Sequence, residues 1–250
     1  MSSGQAAMKD GRESFSAPDL LIFDCDGVLV DSEPIANRVL AERLTAIGYP
    51  IAPAECEARF TGLRFRTVFA TVEAELGRKL PPGFGEEVRE STLAAFTESL
   101  QPIRGVAEAV QALDLPRCVA SSSAPDWIRH ALAVTGLIGL FDPNLFSAVM
   151  VPHGKPHPDL FLLAAERMGA RPEHCLVIED SVPGVTAAKA AGMRVLGFVG
   201  GGHARSPTWR QALREAGAAL LFDDMRRLPG LVDPDAAAGI FPADEERRRG

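Results

Sequence analysis

The sequence offers little cysteine chemistry. Four cysteines occur among 250 residues, and no two of them form the CxxC pair that is typical of zinc sites and redox motifs. The pattern therefore predicts neither a zinc site nor a disulfide framework. Cys25, Cys118 and Cys175 stand in apolar, strand-like runs, which favours reduced, buried thiols and a cytoplasmic protein.

Long hydrophobic runs are absent as well. No apolar run reaches the ~18 residues that a membrane-spanning helix needs, so no membrane partner is expected. Residues 1–17 are polar and lack the apolar core of a signal peptide, and we expect a flexible tail there. Residues 233–250 end in a charged run and are predicted to be a C-terminal tail.

Positive charge is in short supply. Lysine and arginine number 26 against 33 aspartates and glutamates, which gives a formal net charge of −7 at pH 7. Such bulk acidity disfavours nucleic acid as a partner. It does not exclude a small phosphorylated substrate, because one metal ion and one lysine can reverse the field locally.

What the sequence does contain is a series of short, continuous apolar runs. They are typical of strands that are buried on both faces, and they cover residues 20–24, 117–120, 175–178 and 194–199, with a shorter run at 218–222 and a weaker one at 147–151. Helical patterns separate several of these runs, and two of them stop at Gly169 and Gly192. The alternation predicts an α/β fold with a parallel sheet that is covered on both faces.

Residues 34–101 interrupt this alternation. Apolar residues follow helical spacing over residues 35–47, 65–76 and 86–100, and no strand-like run lies between them. We therefore expect a small helical cap domain over 34–101, inserted after the first strand. The core domain would consist of residues 18–33 and 102–232.

Two acidic clusters directly follow predicted strands. Asp24 and Asp26 come after the first strand, and Glu179 and Asp180 come after the strand at 175–178. Ligands of open α/β sheets bind outside the carboxyl ends of the strands, so we expect both clusters to face one crevice. Gathered carboxylates repel one another unless a proton or a cation intervenes, and hard oxygen ligands suit Mg²⁺. The alternatives are a solvated turn for the first cluster and helix capping for the second.

Two further groups fit the same site. Ser121, Ser122 and Ser123 follow a predicted strand and open a helix, where hydroxyls and exposed N–H groups can cradle a phosphate. Ser123 is also expected to be the N-cap of that helix. Lys155 lies in a short loop between Gly154 and two prolines, where it could pair with both a carboxylate and a phosphate, although a solvated loop lysine is the alternative.

In order along the chain, these groups resemble the four motifs of the haloacid dehalogenase (HAD) superfamily. The motif residues are Asp24 and Asp26, then Ser121, then Lys155, then Glu179 with Asp180. The stretches FDCDGVLVDSE and GKPHPDLF…VIEDSVPGV are similar to β-phosphoglucomutase-like and sugar-phosphate phosphatase members. The resemblance covers residues 19–202, and it implies a Rossmann-like core with a helical cap inserted after the first motif.

The resemblance also implies the role of each residue. Asp24 would be the nucleophile and a metal ligand, and Asp26 would be the general acid and base, with its main-chain carbonyl also on the metal. Asp180 would complete the Mg²⁺ site, with Glu179 as a direct or water-bridged ligand. The phosphoryl group would be held by Ser121, Ser122 and Lys155. The activity implied is a magnesium-dependent phosphatase that acts on a small phosphorylated sugar or sugar acid.

Other members of the superfamily have other activities. The dehalogenases of the superfamily lack the second aspartate and need no metal, so Asp26 disfavours that reading. A phosphosugar mutase is the closest alternative, but this chain has Ala36 where the mutase has a cap histidine. It also has Ala124 and Pro125 where the mutase has a lysine and an asparagine. A phosphonoacetaldehyde hydrolase lacks support because no clear Schiff-base lysine is present in the first cap helix. A scaffold protein without activity is the remaining alternative.

The predicted cap would choose the substrate. Arg64, Arg66 and Arg38 are candidates to contact a second anionic group, although a solvated helix face is the plainer explanation of each. The expected partner is a small phosphorylated metabolite, and the chain is expected to be a monomer or a homodimer.

Overall fold

The computed structural model describes residues 17–60, 65–202 and 206–232. Both predicted tails lie outside these ranges apart from Ala17, and so does Arg64. Domain borders were predicted at residues 33/34 and 101/102, and these stay predictions.

A six-stranded, wholly parallel sheet forms the centre of the molecule. The strands are β1 (Leu20–Phe23), β2 (Arg117–Ser121), β3 (Leu145–Ser147), β4 (Cys175–Glu179), β5 (Arg194–Phe198) and β6 (Leu220–Phe222). Their order across the sheet is β3-β2-β1-β4-β5-β6. Strand β1 is hydrogen-bonded on both sides, to β2 and β4, and every residue in it is buried. This central position explains why its sequence is apolar throughout. The predicted α/β fold is confirmed.

One strand was misplaced by the sequence patterns. The run at 147–151 was predicted as a weak strand, but β3 ends at Ser147 and residues Ala148–Met150 form a 3₁₀ turn. The Ser147 hydroxyl accepts the N–H of Val149 and so caps this turn. Val149 and Met150 are 68% and 49% exposed, so their hydrophobic character does not reflect burial in the sheet.

Helices cover both faces of the sheet. They are α5 (Val106–Gln111), α6 (Pro125–Val134), α7 (Ile138–Phe141), α8 (Asp159–Met168), α9 (Val182–Ala190), α10 (Pro207–Ala216) and α11 (Leu228–Val232). Alternate residues of β1 enter different apolar clusters, with Leu21 and Phe23 in one and Leu20 and Ile22 in the other. Within the described part of the chain, no helix combines the length and the apolar character needed to span a bilayer.

Between β1 and α5 the described residues form four helices, which we call the helical insert. They are α1 (Glu33–Ala46), α2 (Pro53–Phe60), α3 (Phe65–Leu76) and α4 (Phe84–Ser99). The insert has its own apolar cluster, which includes Leu40, Leu44, Val72 and Val88. Helix α2 was not predicted, because only Cys56 and Phe60 of its residues are buried and the apolar periodicity is correspondingly weak.

Candidate active site

The carboxyl edge of the sheet brings the four predicted motifs together. Asp24 follows β1, and its main-chain N–H donates to the carbonyl of Ile178 in β4 at 3.0 Å. This pairing places Asp24 next to Glu179, the last residue of β4, and Asp180. Ser121 ends β2 on the other side of β1. The parallel register therefore gathers residues that are up to 156 positions apart in the sequence, from Asp24 to Asp180.

Lys155 lies between two of the carboxylates. Its ammonium donates to Asp24 Oδ1 at 2.7 Å and to Glu179 Oε1 at 2.6 Å, and only 5% of the residue is exposed. Its Nζ also lies 5.1 Å from the centre of the Phe161 ring. Burial alone would lower the pKa of Lys155, but the charges of Asp24 and Glu179 outweigh this effect and raise the pKa above its ordinary value. The charged form of the Lys155 ammonium is therefore favoured at this site.

The surroundings of Asp24 disfavour the charged form of its carboxyl. Burial raises the pKa of its carboxyl well above the ordinary value; Lys155 opposes this shift, whereas Glu179 and Asp180 add to it. Ionised, the three carboxylates carry three negative charges against one positive charge on Lys155. A further cation would favour the ionised form of Asp24, which the predicted role as nucleophile requires.

The three acids also have the geometry of a metal site. Ligand atoms of Asp24, Glu179 and Asp180 all lie within 4.8 Å of one another, and all three residues are buried. The donors are hard carboxylate oxygens, which suit Mg²⁺ better than softer metals. The donor set and the net negative charge of Asp24, Glu179, Asp180 and Lys155 therefore fit the predicted magnesium ion.

Glu179 is held differently from the other two acids. Its Oε2 accepts the N–H groups of Asp180 and Ser181, both at 2.8 Å, and the Ser181 hydroxyl at 2.9 Å, while Oε1 receives Lys155. Helix α9 approaches so closely that a Cβ on Gly184 would lie 1.7 Å from Glu179 Oε1. These contacts fix the carboxylate of Glu179 against Lys155, beside the ligand oxygens of Asp24 and Asp180.

Asp26 accepts three hydrogen bonds. Its Oδ1 receives the Ser32 hydroxyl at 2.8 Å and the Trp127 indole N–H at 3.1 Å, and its Oδ2 receives the Ser123 hydroxyl at 2.6 Å. The prediction that Ser123 caps helix α6 was wrong: the N-cap residue is Ala124, which has no side-chain cap. The physical reason is that the Ser123 hydroxyl is used by Asp26.

The serine motif lies beside these acids. Ser121 is buried, and its hydroxyl accepts the main-chain N–H of Ser123 at 3.1 Å. Ser122 is exposed, and both Ser121 and Ser122 line the cleft that Asp24 and Lys155 also line. The predicted phosphate-binding residues therefore lie in the same cleft as Asp24, the predicted nucleophile.

A cleft of about 550 Å³ separates the sheet edge from the helical insert. The insert side is largely apolar, and its lining residues include Ala36, Leu40, Phe60, Phe65, Val68 and Phe69. Of the cap arginines predicted to bind substrate, Arg66 and Arg38 are exposed and do not line the cleft, and Arg64 lies outside the described residues. Among the described arginines of the insert, Arg89 lines the cleft, and it pairs with Glu86 and with Asp126 at 2.7 and 2.6 Å.

Some residues of the site were not predicted from the sequence. Arg89, Ser32, Trp127 and Trp209 were not identified, and Trp209 donates its indole N–H to the main-chain carbonyl of Asp180 at 2.8 Å. The only available signal was indirect: the chain has two tryptophans, and tryptophan is seldom placed near a polar site without using its N–H.

Comparison with known proteins identifies the family. Residues 18–192 match the family model of the haloacid dehalogenase-like hydrolases. A 6-phosphogluconate phosphatase of Escherichia coli (strain K12) is 31% identical over 74% of this chain and 84% of its own length. A fructose-1-phosphate phosphatase of the same organism is 33% identical over 69% of this chain and 92% of its own length.

A solved structure gives the same result. A HAD family hydrolase from Deinococcus radiodurans R1, crystallised with bound phosphate and sodium, is 34% identical and superposes with a TM-score of 0.73 over 89% of this chain and 98% of its own. The chain therefore belongs to the haloacid dehalogenase-like hydrolases, and the family resemblance that its four motifs predicted is confirmed.

Proposed function

We propose that this protein is a Mg²⁺-dependent phosphatase that hydrolyses a small sugar phosphate or phosphosugar acid through a phosphorylated Asp24. Its membership in a hydrolase family, together with phosphatases among its relatives, identifies the enzyme class. The observation that carries the finer proposal is Lys155, which bridges Asp24 and Glu179 at 2.7 and 2.6 Å beside Asp180.

The side chains of the cluster divide the work of phosphoryl transfer. An Asp24 oxygen attacks phosphorus, and the Lys155 ammonium offsets the negative charge on the nucleophile and on the transferring oxygens. Ser121 and Ser122 offer hydroxyl and main-chain donors to the same oxygens. Glu179 keeps Lys155 in place through the contact at 2.6 Å.

The magnesium ion would be held by the carboxylates of Asp24 and Asp180 and by the main-chain carbonyl of Asp26, with Glu179 as a direct or water-bridged ligand. Bound there, the ion supplies a positive charge that favours the ionised form of Asp24 and draws phosphate oxygens toward the site.

Asp26 would transfer protons in both halves of the reaction. As a carboxylic acid it gives its proton to the sugar oxygen while the bond from phosphorus to that oxygen breaks. As a carboxylate it then takes a proton from the water that attacks the phosphoryl group on Asp24. Each half-reaction leaves Asp26 in the form that the next one needs.

The cleft supports a sugar-sized leaving group. Its volume of about 550 Å³ suits a small metabolite, and its apolar wall can pack against the C–H face of a sugar. Asn37 and Arg89 line the same cleft, where Arg89 would exchange part of its contact with Glu86 or Asp126 for a substrate hydroxyl or carboxylate. A 6-phosphogluconate phosphatase and a fructose-1-phosphate phosphatase are among its relatives. Phosphorylated sugar acids and sugar phosphates are therefore both reasonable substrates.

A mutase is the second candidate activity. Ala36 lines the cleft, so the position at which the mutase has a histidine presents only a methyl group here. This favours release of phosphate over its return to a sugar. Supplying β-glucose 1-phosphate separates the two activities, because a phosphatase yields free phosphate and a mutase yields glucose 6-phosphate.

The test of the proposed function is turnover by the purified protein. A panel of sugar phosphates and phosphosugar acids, together with p-nitrophenyl phosphate, should release phosphate only when Mg²⁺ is present. The Asp24→Asn variant should release none while remaining folded. No turnover on the whole panel by the wild type would instead support the scaffold alternative.

A further inference from the structure

Both tryptophans of the chain donate to residues of the proposed catalytic cluster, but they do so in different ways. Trp209 donates to a main-chain carbonyl, whose position is already set by the backbone. Trp127 donates at 3.1 Å to a carboxylate oxygen of Asp26, a side chain with rotational freedom. The Trp127 N–H therefore constrains the orientation of the Asp26 side chain, which the backbone leaves free to rotate.

Asp26 depends on its donors for orientation. It lies beyond the end of β1, in a turn that contains Gly27 with a φ of 80°. Two of its three donors are the hydroxyls of Ser32 and Ser123, which rotate and can either donate or accept. The Trp127 indole N–H can only donate, along a direction fixed by its ring. The ring therefore defines where Asp26 Oδ1 lies.

The orientation of that ring is in turn set by the helical insert. Phe96 of α4 meets Trp127 edge to face, with ring centroids 4.8 Å apart and an interplanar angle of 73°. Both residues are buried, at 1% and 8% exposure. The helix of Trp127, α6, also binds α4 through His130, whose Nε2 lies 3.0 Å from the carbonyl of Leu93 and 3.1 Å from the Thr97 hydroxyl.

We propose that Trp127 is a positioning residue that couples the packing of the insert helix α4 on α6 to the orientation of Asp26 for proton transfer. The proposal rests on the function proposed above. When the Asp24 oxygen bonds to phosphorus and the sugar oxygen leaves, the Asp26 proton passes to that oxygen. Trp127 holds Asp26 where this transfer is possible, and Phe96 holds Trp127.

The experiment varies how much the leaving group needs a proton. The Trp127→Phe variant keeps an aromatic ring against Phe96 and loses the N–H donor. For each variant kcat/KM is measured with the best sugar phosphate and with 2,4-dinitrophenyl phosphate. The nitrophenolate leaves without a proton, and kcat/KM reports the first phosphoryl transfer. We expect a loss of about tenfold or more on the sugar phosphate and of less than about twofold on the aryl ester, since general acid catalysis serves only the former.

Three further variants separate positioning from packing. Phe96→Leu loosens the packing of the Trp127 ring and leaves its N–H in place. In this variant kcat/KM should again fall more for the sugar phosphate than for the aryl ester, but by a smaller factor. His130→Ala weakens the contact between α4 and α6 elsewhere, and Trp209→Phe removes the other indole donor. His130→Ala should therefore give a weaker bias of the same kind, whereas Trp209→Phe should change kcat/KM for the two substrates by equal factors.

Equal losses on the two substrates in both Trp127→Phe and Phe96→Leu, or no loss in either, would overturn the proposal. Phe96→Leu keeps the test decisive if Trp127→Phe does not fold. Failure of the underlying function gives a different result: the wild type would then hydrolyse neither ester, or Asp24→Asn would retain activity.

Discussion

The two sides of the cleft are built on different principles. At the sheet edge, charged side chains are buried and bound to one another, as in the contacts of Lys155 with Asp24 and Glu179. On the insert side, apolar residues such as Phe60, Val68 and Phe69 form the wall. The first arrangement is suited to one chemical group, the phosphoryl group, whereas the second leaves the identity of the leaving group open. We therefore infer that residues at the sheet edge determine the type of reaction, whereas residues of the helical insert determine the choice of substrate.

Removing the cation of the sheet edge should have the largest effect. Lys155→Met leaves the carboxylates of Asp24 and Glu179 without their shared donor, and we expect kcat/KM to fall by about 10²–10³-fold. Stability should fall as well, by about 3–5 kcal/mol, because a buried ion pair loses one partner. Steady-state kinetics and denaturant unfolding measure the two effects. Lys189→Met, at an exposed lysine, is the control and should change neither.

A methyl group next to Glu179 should have the second largest effect. In Gly184→Ala the new Cβ would lie 1.7 Å from Glu179 Oε1, so the carboxylate has to move away from Lys155. A displacement of about 1 Å in such a site costs on the order of 10²-fold in rate. Gly139→Ala is the matched control, because a Cβ there meets nothing within 4 Å and the rate should be unchanged. A fully active Gly184→Ala enzyme would contradict the role given to Glu179.

On the insert side the effects should be smaller and should depend on the substrate. Arg89→Met removes a polar contact from the cleft wall, and we expect KM for the best sugar phosphate to rise by about threefold to tenfold while kcat/KM for p-nitrophenyl phosphate stays within about twofold. Arg66→Met, at an exposed arginine away from the cleft, should leave both constants unchanged. If Arg66→Met alters KM and Arg89→Met does not, the present assignment of the cleft wall is wrong.

The smallest effect concerns stability and pH. Because burial raises the pKa of Asp24, its contribution to stability is present below the ordinary pKa and is lost as the pH rises through the raised value. Mg²⁺ binds the ionised form of the cluster, so its binding stabilises the folded protein more at high pH than at low pH. We therefore expect Mg²⁺ to raise Tm by a few degrees near pH 8 and by much less near pH 4.5. Thermal unfolding with and without Mg²⁺ at both pH values measures this difference.

The Asp24→Asn variant provides the control for this pH effect. Without metal near pH 8 it should unfold at a higher temperature than the wild type, because it has no buried charge to maintain, and Mg²⁺ should shift it less. A Mg²⁺ shift of the same size at both pH values, or a less stable Asp24→Asn protein, would count against the charge balance described for the cluster.

The sheet edge could be predicted from the sequence, because its geometry follows from topology. Asp24 and Glu179 each lie at the carboxyl end of an apolar run, and parallel strands bring such ends to one edge. The insert side could not be predicted in the same way. Whether Arg66 or Arg89 faces the cleft depends on how the helices pack, and helical spacing alone does not fix that packing. The N-cap role predicted for Ser123 was wrong for a related reason. Its hydroxyl donates to Asp26, 97 residues away in the sequence, and a local sequence pattern does not show such a contact.

The central claim is that Asp24 attacks phosphorus, and the most direct measurement is capture of the phosphorylated enzyme. The wild type is mixed with a turned-over phosphate ester and Mg²⁺, quenched in acid within milliseconds, digested and analysed by mass spectrometry. The account predicts a phosphoryl group on the peptide that contains Asp24, labile to hydroxylamine and missing from Asp24→Asn. Rapid turnover with that peptide unmodified at every quench time, together with an active Asp24→Asn enzyme, would contradict it.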